Sequence, residues 1–222
     1  MSVKGKYVLA GCFGLLFVAL IALVLCVDVA PIGPAGTSVG LSKINGAFHE
    51  MTGVNMTWYK ITECLGYGSL GVAALFALVG LIQLVSRKSL RKVDAEIFAL
   101  GGLYVAVLAV YIFFEKVIVN YRPVIMPGDA LPEASFPSSH TMLACTIMGS
   151  AIMVMGKYVK NDDLRVALRV ICGIVLGVVV VGRLISGVHW LTDIAGGVLV
   201  SAALLMLFSG AKDALKEKTG GK

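Results

Sequence analysis

The chain has 222 residues, of which 58% are apolar and only 14% charged, and its mean hydropathy is +0.91. A soluble domain carries about 25% charged residues, so there is too little polar surface here to coat a water-soluble globule, and disorder is excluded by the same composition. The net charge of +6 does not mark a nucleic-acid-binding protein, because 14 of the 19 basic residues fall on one side of the topology derived below.

The first apolar run extends from Tyr7 to Val27, 21 residues. As a helix it is roughly 31 Å long, and it exceeds the ~7–15 residues of a signal-peptide core, so it reads as a retained membrane span. The connection from 29 to 65 is the longest in the chain. It opens with Pro31 and Pro34, then sets Leu41, Ile44, Phe48 and Met51 at helical spacing before Trp58 and Tyr59. Such an amphipathic stripe with following aromatics is expected to lie on the membrane surface, with His49 a solvated interface residue. Further apolar runs sit near 66–85, 95–117, 139–156, 166–185 and 188–209, each about long enough to cross a bilayer. The expectation is an all-α, six-span transmembrane helical bundle, a single membrane domain over 1–222 with a motif-bearing core at about 95–209.

Basic residues orient the bundle. Lys4 and Lys6, then Arg87, Lys88, Arg91 and Lys92, then Lys157, Lys160, Arg165 and Arg169, then Lys212, Lys216, Lys218 and Lys222 occupy alternate span ends. The positive-inside rule puts them in the cytoplasm together with both termini. Cys12, Cys26, Cys64, Cys145 and Cys172 form no C-x-x-C pair and read as small hydrophobes packed between helices rather than as a disulfide or zinc framework.

Under this topology, ionisable residues from four spans converge on the outer face: Lys116 and Arg122, His140, Arg183, and His189 with Asp193. Charges at membrane depth are costly, which gives such a convergence functional meaning. Three cations and a helix start at Pro137-Ser138-Ser139-His140 make an anion site, since arginine forks, a lysine charge and free first-turn amides all suit phosphate. His189 and Asp193 are four residues apart, one helical face, so the carboxylate can hold the imidazole in one tautomer. His140 is left as a second, independent imidazole, a pattern that suggests one nucleophile and one general acid. The Gly196-Gly197 pair reads as a close helix-packing point.

The segments Lys116 to Pro123 (KVIVNYRP), Pro137 to His140 (PSSH) and Gly182 to Asp193 (GRLISGVHWLTD) resemble the three signature motifs of the type 2 phosphatidic acid phosphatase superfamily, integral-membrane lipid phosphate phosphatases. The resemblance implies that His189 attacks phosphorus to form a phosphohistidine supported by Asp193. It implies that His140 protonates the departing alkoxide and later activates water. Lys116, Arg122, Arg183, Ser138 and the amide of Ser139 would hold the phosphoryl oxygens, with no metal or other cofactor. Three positions depart from the family pattern. Lys116 is one residue too close to Arg122, with Glu115 at the family's lysine position; Ser139 replaces a glycine; and Gly182 replaces a serine.

The function expected is hydrolysis of an amphiphilic phosphate or pyrophosphate at the outer leaflet, of the phosphatidic acid, phosphatidylglycerol phosphate or undecaprenyl pyrophosphate class. Compact loops suit a bacterial cytoplasmic-membrane enzyme whose partners are lipids. Two alternatives stand beside it: a lipid phosphotransferase using the same phosphohistidine, and a non-enzymatic protein that binds anionic lipid.

Overall fold

The structure is a computed structural model that describes the backbone of residues 1–220 and side chains as far as residue 217. Seven α-helices follow in order: α1 Val3–Cys26, α2 Ser42–Thr52, α3 Met56–Arg87, α4 Ala95–Lys116, α5 Ser139–Tyr158, α6 Asp162–Ile185 and α7 Leu191–Gly220. All but α2 are long and apolar enough to cross a membrane, six in total. The third helix starts at Met56, ten residues before the apolar run, because the Asn55 side chain caps it by accepting from the amides of Thr57 and Trp58 at 3.1 and 3.2 Å. Trp58 and Tyr59 therefore belong to a span and not to a surface segment.

Helix α2 is amphipathic in the expected place. Its apolar residues Ile44 and Met51 are exposed, while Ser42 and Asn45 are buried against the start of α7. An exposed apolar face and a buried polar one suit a helix lying between lipid and protein.

Helices α5 and α7 form the centre of the bundle, α1 and α4 packing on α7, and α3 and α6 on α5. Phe17, Phe114 and Phe136 interlock beside them, Phe17 stacked on Phe136 with centroids 5.7 Å apart. Gly196 and Gly197 do allow close packing: an added Cβ would sit 2.6 Å from the Phe136 ring in one case and 3.0 Å from Thr141 in the other. Of the cysteines, Cys145 and Cys172 are buried, whereas Cys12, Cys26 and Cys64 are exposed instead of packed between helices.

The basic residues assigned to the cytoplasm gather at one end, held by carboxylates. Lys6 pairs with Asp213, Arg87 and Lys157 with Asp94, and Lys157 and Lys216 with the buried Glu96. Burial raises the Asp94 carboxyl, but hydrogen bonds from Arg87, Gln83 and Lys157 outweigh it and hold the pKa at about 2. Lys222 and the side chain of Lys218 lie outside the described residues. The motif residues occupy the opposite end, where α4 stops and α5 and α7 begin.

Candidate active site

The site is assembled from two turns and two helix ends. The segment between α4 and α5 folds back on itself: the Arg122 amide donates to the Glu133 carbonyl at 2.9 Å and the Ser135 amide to the Asn120 carbonyl at 2.9 Å. This hairpin presents Arg122 beside the start of α5. Ser138 is the N-cap residue of α5, as the motif leads one to expect, and its hydroxyl is buried without a partner.

The second turn, between α6 and α7, carries His189. Gly187 has φ +66° there, and an added Cβ would lie 1.8 Å from the Gly53 carbonyl oxygen, so only glycine fits. The Asn55 amide donates to the Ser186 carbonyl at 2.9 Å, Trp190 Nε1 donates to the Tyr121 carbonyl at 2.7 Å, and the Ser138 amide donates to the Asp193 carbonyl at 3.0 Å. The His189 turn is thereby fastened to α3, to the hairpin and to α5. Helix α7 begins at Leu191, so His189 precedes the helix and does not share a helical face with Asp193. The turn still brings them together, Nδ1 of His189 lying 3.6 Å from Oδ2 of Asp193. The same carboxylate accepts from the Trp190 amide at 2.9 Å and from Asn120 Nδ2 at 3.4 Å.

A cleft of about 380 Å³ joins these parts, lined among others by Glu115, Arg122, Glu133, Ser139, His140 and His189. Arg183 is fully buried behind it, its guanidinium 4.7 Å from the centre of the Tyr59 ring, and none of its three nitrogens has a partner. Arg122 Nη1 and both ring nitrogens of His189 are also unpartnered. Buried donors without acceptors are expensive in a native fold. Their concentration at one point marks a site shaped for an anion that accepts several hydrogen bonds. Burial pushes the His189 pKa well below its ordinary value, and Arg122 and Arg183 push it further the same way. The imidazole is therefore neutral, the form in which it can act as a nucleophile.

Lys116 is the one expected ligand that the structure does not bring in: it is exposed at the end of α4 and does not line the cleft, whereas Glu115 does. One residue of helix rotates a side chain by about 100°, and α4 carries no compensating bulge, its helix running unbroken to Lys116. Gly182, the departure from serine, has a packing cause: a Cβ there would meet Thr62 Cγ2 at 2.5 Å and Trp58 Cε3 at 3.1 Å, so the close approach of α3 to α6 requires it. Ser139 is not among the residues with positive φ, so the loss of glycine there imposes no strain. His49 is not a free solvated residue; its ring meets Trp190 edge-on with centroids 5.5 Å apart.

Sequence reasoning missed Asn45. Fully buried, it donates from Nδ2 to the Gly40 carbonyl at 2.8 Å and to Thr192 Oγ1 at 3.1 Å, and its Oδ1 accepts from the Thr192 amide at 3.2 Å. It ties α2 to the first turn of α7, three residues after His189. Asn45→Ala strands three polar groups, so thermal unfolding in detergent should show a loss of about 1–3 kcal/mol, with turnover falling as the His189 turn loosens.

A second cavity of about 390 Å³ opens between α3, α4 and α5, lined chiefly by Leu70, Tyr104, Val107, Leu108, Leu143 and Ile147. Tyr111, Ser139 and His140 line both cavities, so the apolar groove meets the polar cleft at His140. Gly66 of α3 packs so closely there that a Cβ would sit 2.8 Å from His140 Cδ2.

A bundle of membrane-length helices with a polar cleft bearing histidine and arginine at one end is what fold and site define. The family model of the PAP2 superfamily matches residues 105–215, half of the chain, and the protein belongs to that superfamily. The chain is also similar in fold to the crystal structure of the first transmembrane PAP2-type phosphatidylglycerolphosphate phosphatase from Bacillus subtilis, with a TM-score of 0.62 and 19% identity over 95% of this chain and 96% of that one. No curated protein gives a significant match.

Proposed function

We propose that this integral membrane protein is a lipid phosphate phosphatase that works through a phosphohistidine on His189. The observation that carries the reading is the junction of the two cavities: an apolar groove suited to a lipid chain runs into a cleft of unpartnered cationic and hydroxyl donors, and His140 stands where they meet. A phosphate ester has its leaving oxygen at such a junction, between the phosphoryl group and the chain.

In this mechanism Arg122, Arg183, Ser138 and the first amides of α5 hold the phosphoryl oxygens. Asp193 faces Nδ1 of His189, which leaves Nε2 to attack phosphorus. The bond to the lipid oxygen breaks and His140 gives that oxygen a proton, releasing the alcohol. His140 then takes a proton from water, the water oxygen attacks phosphorus, and inorganic phosphate leaves His189. Asp193 stabilises the imidazole as it gains positive character. No step requires a metal or cofactor.

The site opens to the outer leaflet of a bacterial cytoplasmic membrane in this reading, because the opposite end carries the basic residues. In a background lacking native cysteines, Leu131→Cys should react with an impermeant thiol reagent on intact cells and Leu90→Cys only after lysis, both positions being exposed at opposite ends. The reverse pattern would put the site in the cytoplasm. Phosphatidylglycerol phosphate, phosphatidic acid and prenyl phosphates and pyrophosphates are the substrates to compare. Phosphate release from at least one of them by purified protein, lost in His189→Ala, is the expected result; no release from any would refute the reading.

A further inference from the structure

The cleft is less positive than a phosphate site built from three cations. Arg122 lines it and Arg183 is buried close to it, whereas Lys116 is exposed and outside the lining. Against them stand Glu115 and Glu133 in the lining itself and Asp193 buried behind His189. Glu133 lies 3.0 Å from Arg122 Nε and offsets part of that charge. Apart from the two histidines and Thr141, the unpartnered donors at this end are those of Arg183, Arg122 Nη1 and Ser138, enough to surround one tetrahedral anion. Beyond Arg122, the two histidines, Ser135 and Ser139, the polar lining consists of Glu115 and Glu133 with Tyr111 and Tyr121. An ionised carboxylate only accepts hydrogen bonds, so next to a second phosphoryl group it offers repulsion and no donor.

We propose that Glu115, assisted by Glu133, is a specificity-determining residue that restricts the cleft to head groups ending in a phosphomonoester and rejects lipid pyrophosphates by charge. The inference rests on the phosphatase reading and narrows its substrate class. A lipid phosphomonoester places its terminal phosphoryl group against Arg183 and Arg122 and has no second phosphoryl group joined directly to it. A pyrophosphate must place its second phosphoryl group either in the apolar groove, where it is desolvated, or beside Glu115. Both are unfavourable. Because Glu115 is exposed, the repulsion is screened by salt, so the discrimination should weaken as ionic strength rises.

The test compares a prenyl monophosphate with the prenyl diphosphate of the same chain, in detergent, without divalent cations. The wild-type protein should favour the monophosphate in kcat/KM, and Glu115→Gln should cut that preference roughly tenfold, the scale of one partly screened charge contact. Glu115→Lys should reverse the preference, and Glu133→Gln should shift it in the same direction as Glu115→Gln. Both positions are exposed, so folding is not at stake. A parallel binding measurement follows the thermal shift produced by inorganic phosphate and by inorganic pyrophosphate; pyrophosphate should stabilise Glu115→Gln more than wild type, and phosphate should stabilise both alike. Turnover of both lipids with a ratio unaltered by Glu115→Gln would overturn the inference and leave the phosphatase reading intact. Turnover of neither lipid would count against the phosphatase reading, and the thermal shifts would then decide the charge selection: an equal pyrophosphate shift in wild type and Glu115→Gln overturns it.

Discussion

In a single-turnover measurement with para-nitrophenyl phosphate, His140→Ala should keep most of the nitrophenolate burst while His189→Ala gives none. The two imidazoles occupy different places. His189 is buried in its turn with neither ring nitrogen partnered and Asp193 3.6 Å from Nδ1, where it would face phosphorus in the proposed mechanism. His140 lines both the polar cleft and the apolar groove, where the lipid oxygen would lie. An alkoxide leaves poorly without a proton, so on a lipid phosphate His140→Ala should cost ~10²–10⁴ in turnover, the usual range for general acid catalysis. Nitrophenolate needs no proton, and the burst should survive. Steady-state turnover should remain slow even with this substrate, because in the proposed mechanism His140 also activates water. Equal and complete loss of the burst in both variants would refute this division of roles.

Arg183→Met should reduce kcat/KM by roughly 10²–10³, the range seen when one preorganised donor is removed from a developing oxyanion, yet leave the thermal midpoint unchanged or raised. Arg183 is fully buried, and its three nitrogens have no hydrogen-bond partner, the Tyr59 ring being its contact. A buried charge with so little compensation, here from Tyr59 and Glu63, costs stability, and an apolar residue of similar length relieves that cost. A structural arginine would behave in the opposite way, with unfolding at lower temperature and activity retained by the folded fraction. Kinetics and melting curves on the same preparation separate the two outcomes.

The six spans were legible because each is a sustained apolar run, a signal that survives without any knowledge of packing. Their ends were less so: the apolar run that marks the second span opens at Gly66, but the helix extends back to Met56 because Asn55 caps it. The order of the motifs placed His140, Arg122, Arg183, Ser138, Ser139, His189 and Asp193 at one end of the bundle, and the structure brings them to one cleft or directly behind it. Lys116 shows the limit of spacing arguments. Both Glu115 and Lys116 end the same span, and which of them lines the cleft depends on helical phase against the hairpin, a tertiary property. Asn45 was invisible for another reason: a single asparagine in an amphipathic stretch carries no periodic signal, and its role exists only through Gly40 and Thr192. Gly182, which stands where the family pattern has serine, is a packing requirement set by Thr62 and Trp58.

The central claim is that the phosphoryl group passes through His189. Rapid mixing of purified protein with a lipid phosphate radiolabelled in its phosphoryl group, followed by an alkaline quench, should trap labelled protein, because a phosphorus-nitrogen bond survives alkali and is lost in acid. Peptide mapping should place the label on the fragment containing His189, and the label should vanish in His189→Ala and accumulate to a higher level in His140→Ala with nitrophenyl phosphate as donor. Turnover that proceeds with no labelled protein at any quench time, or a label that persists in His189→Ala, would contradict the account.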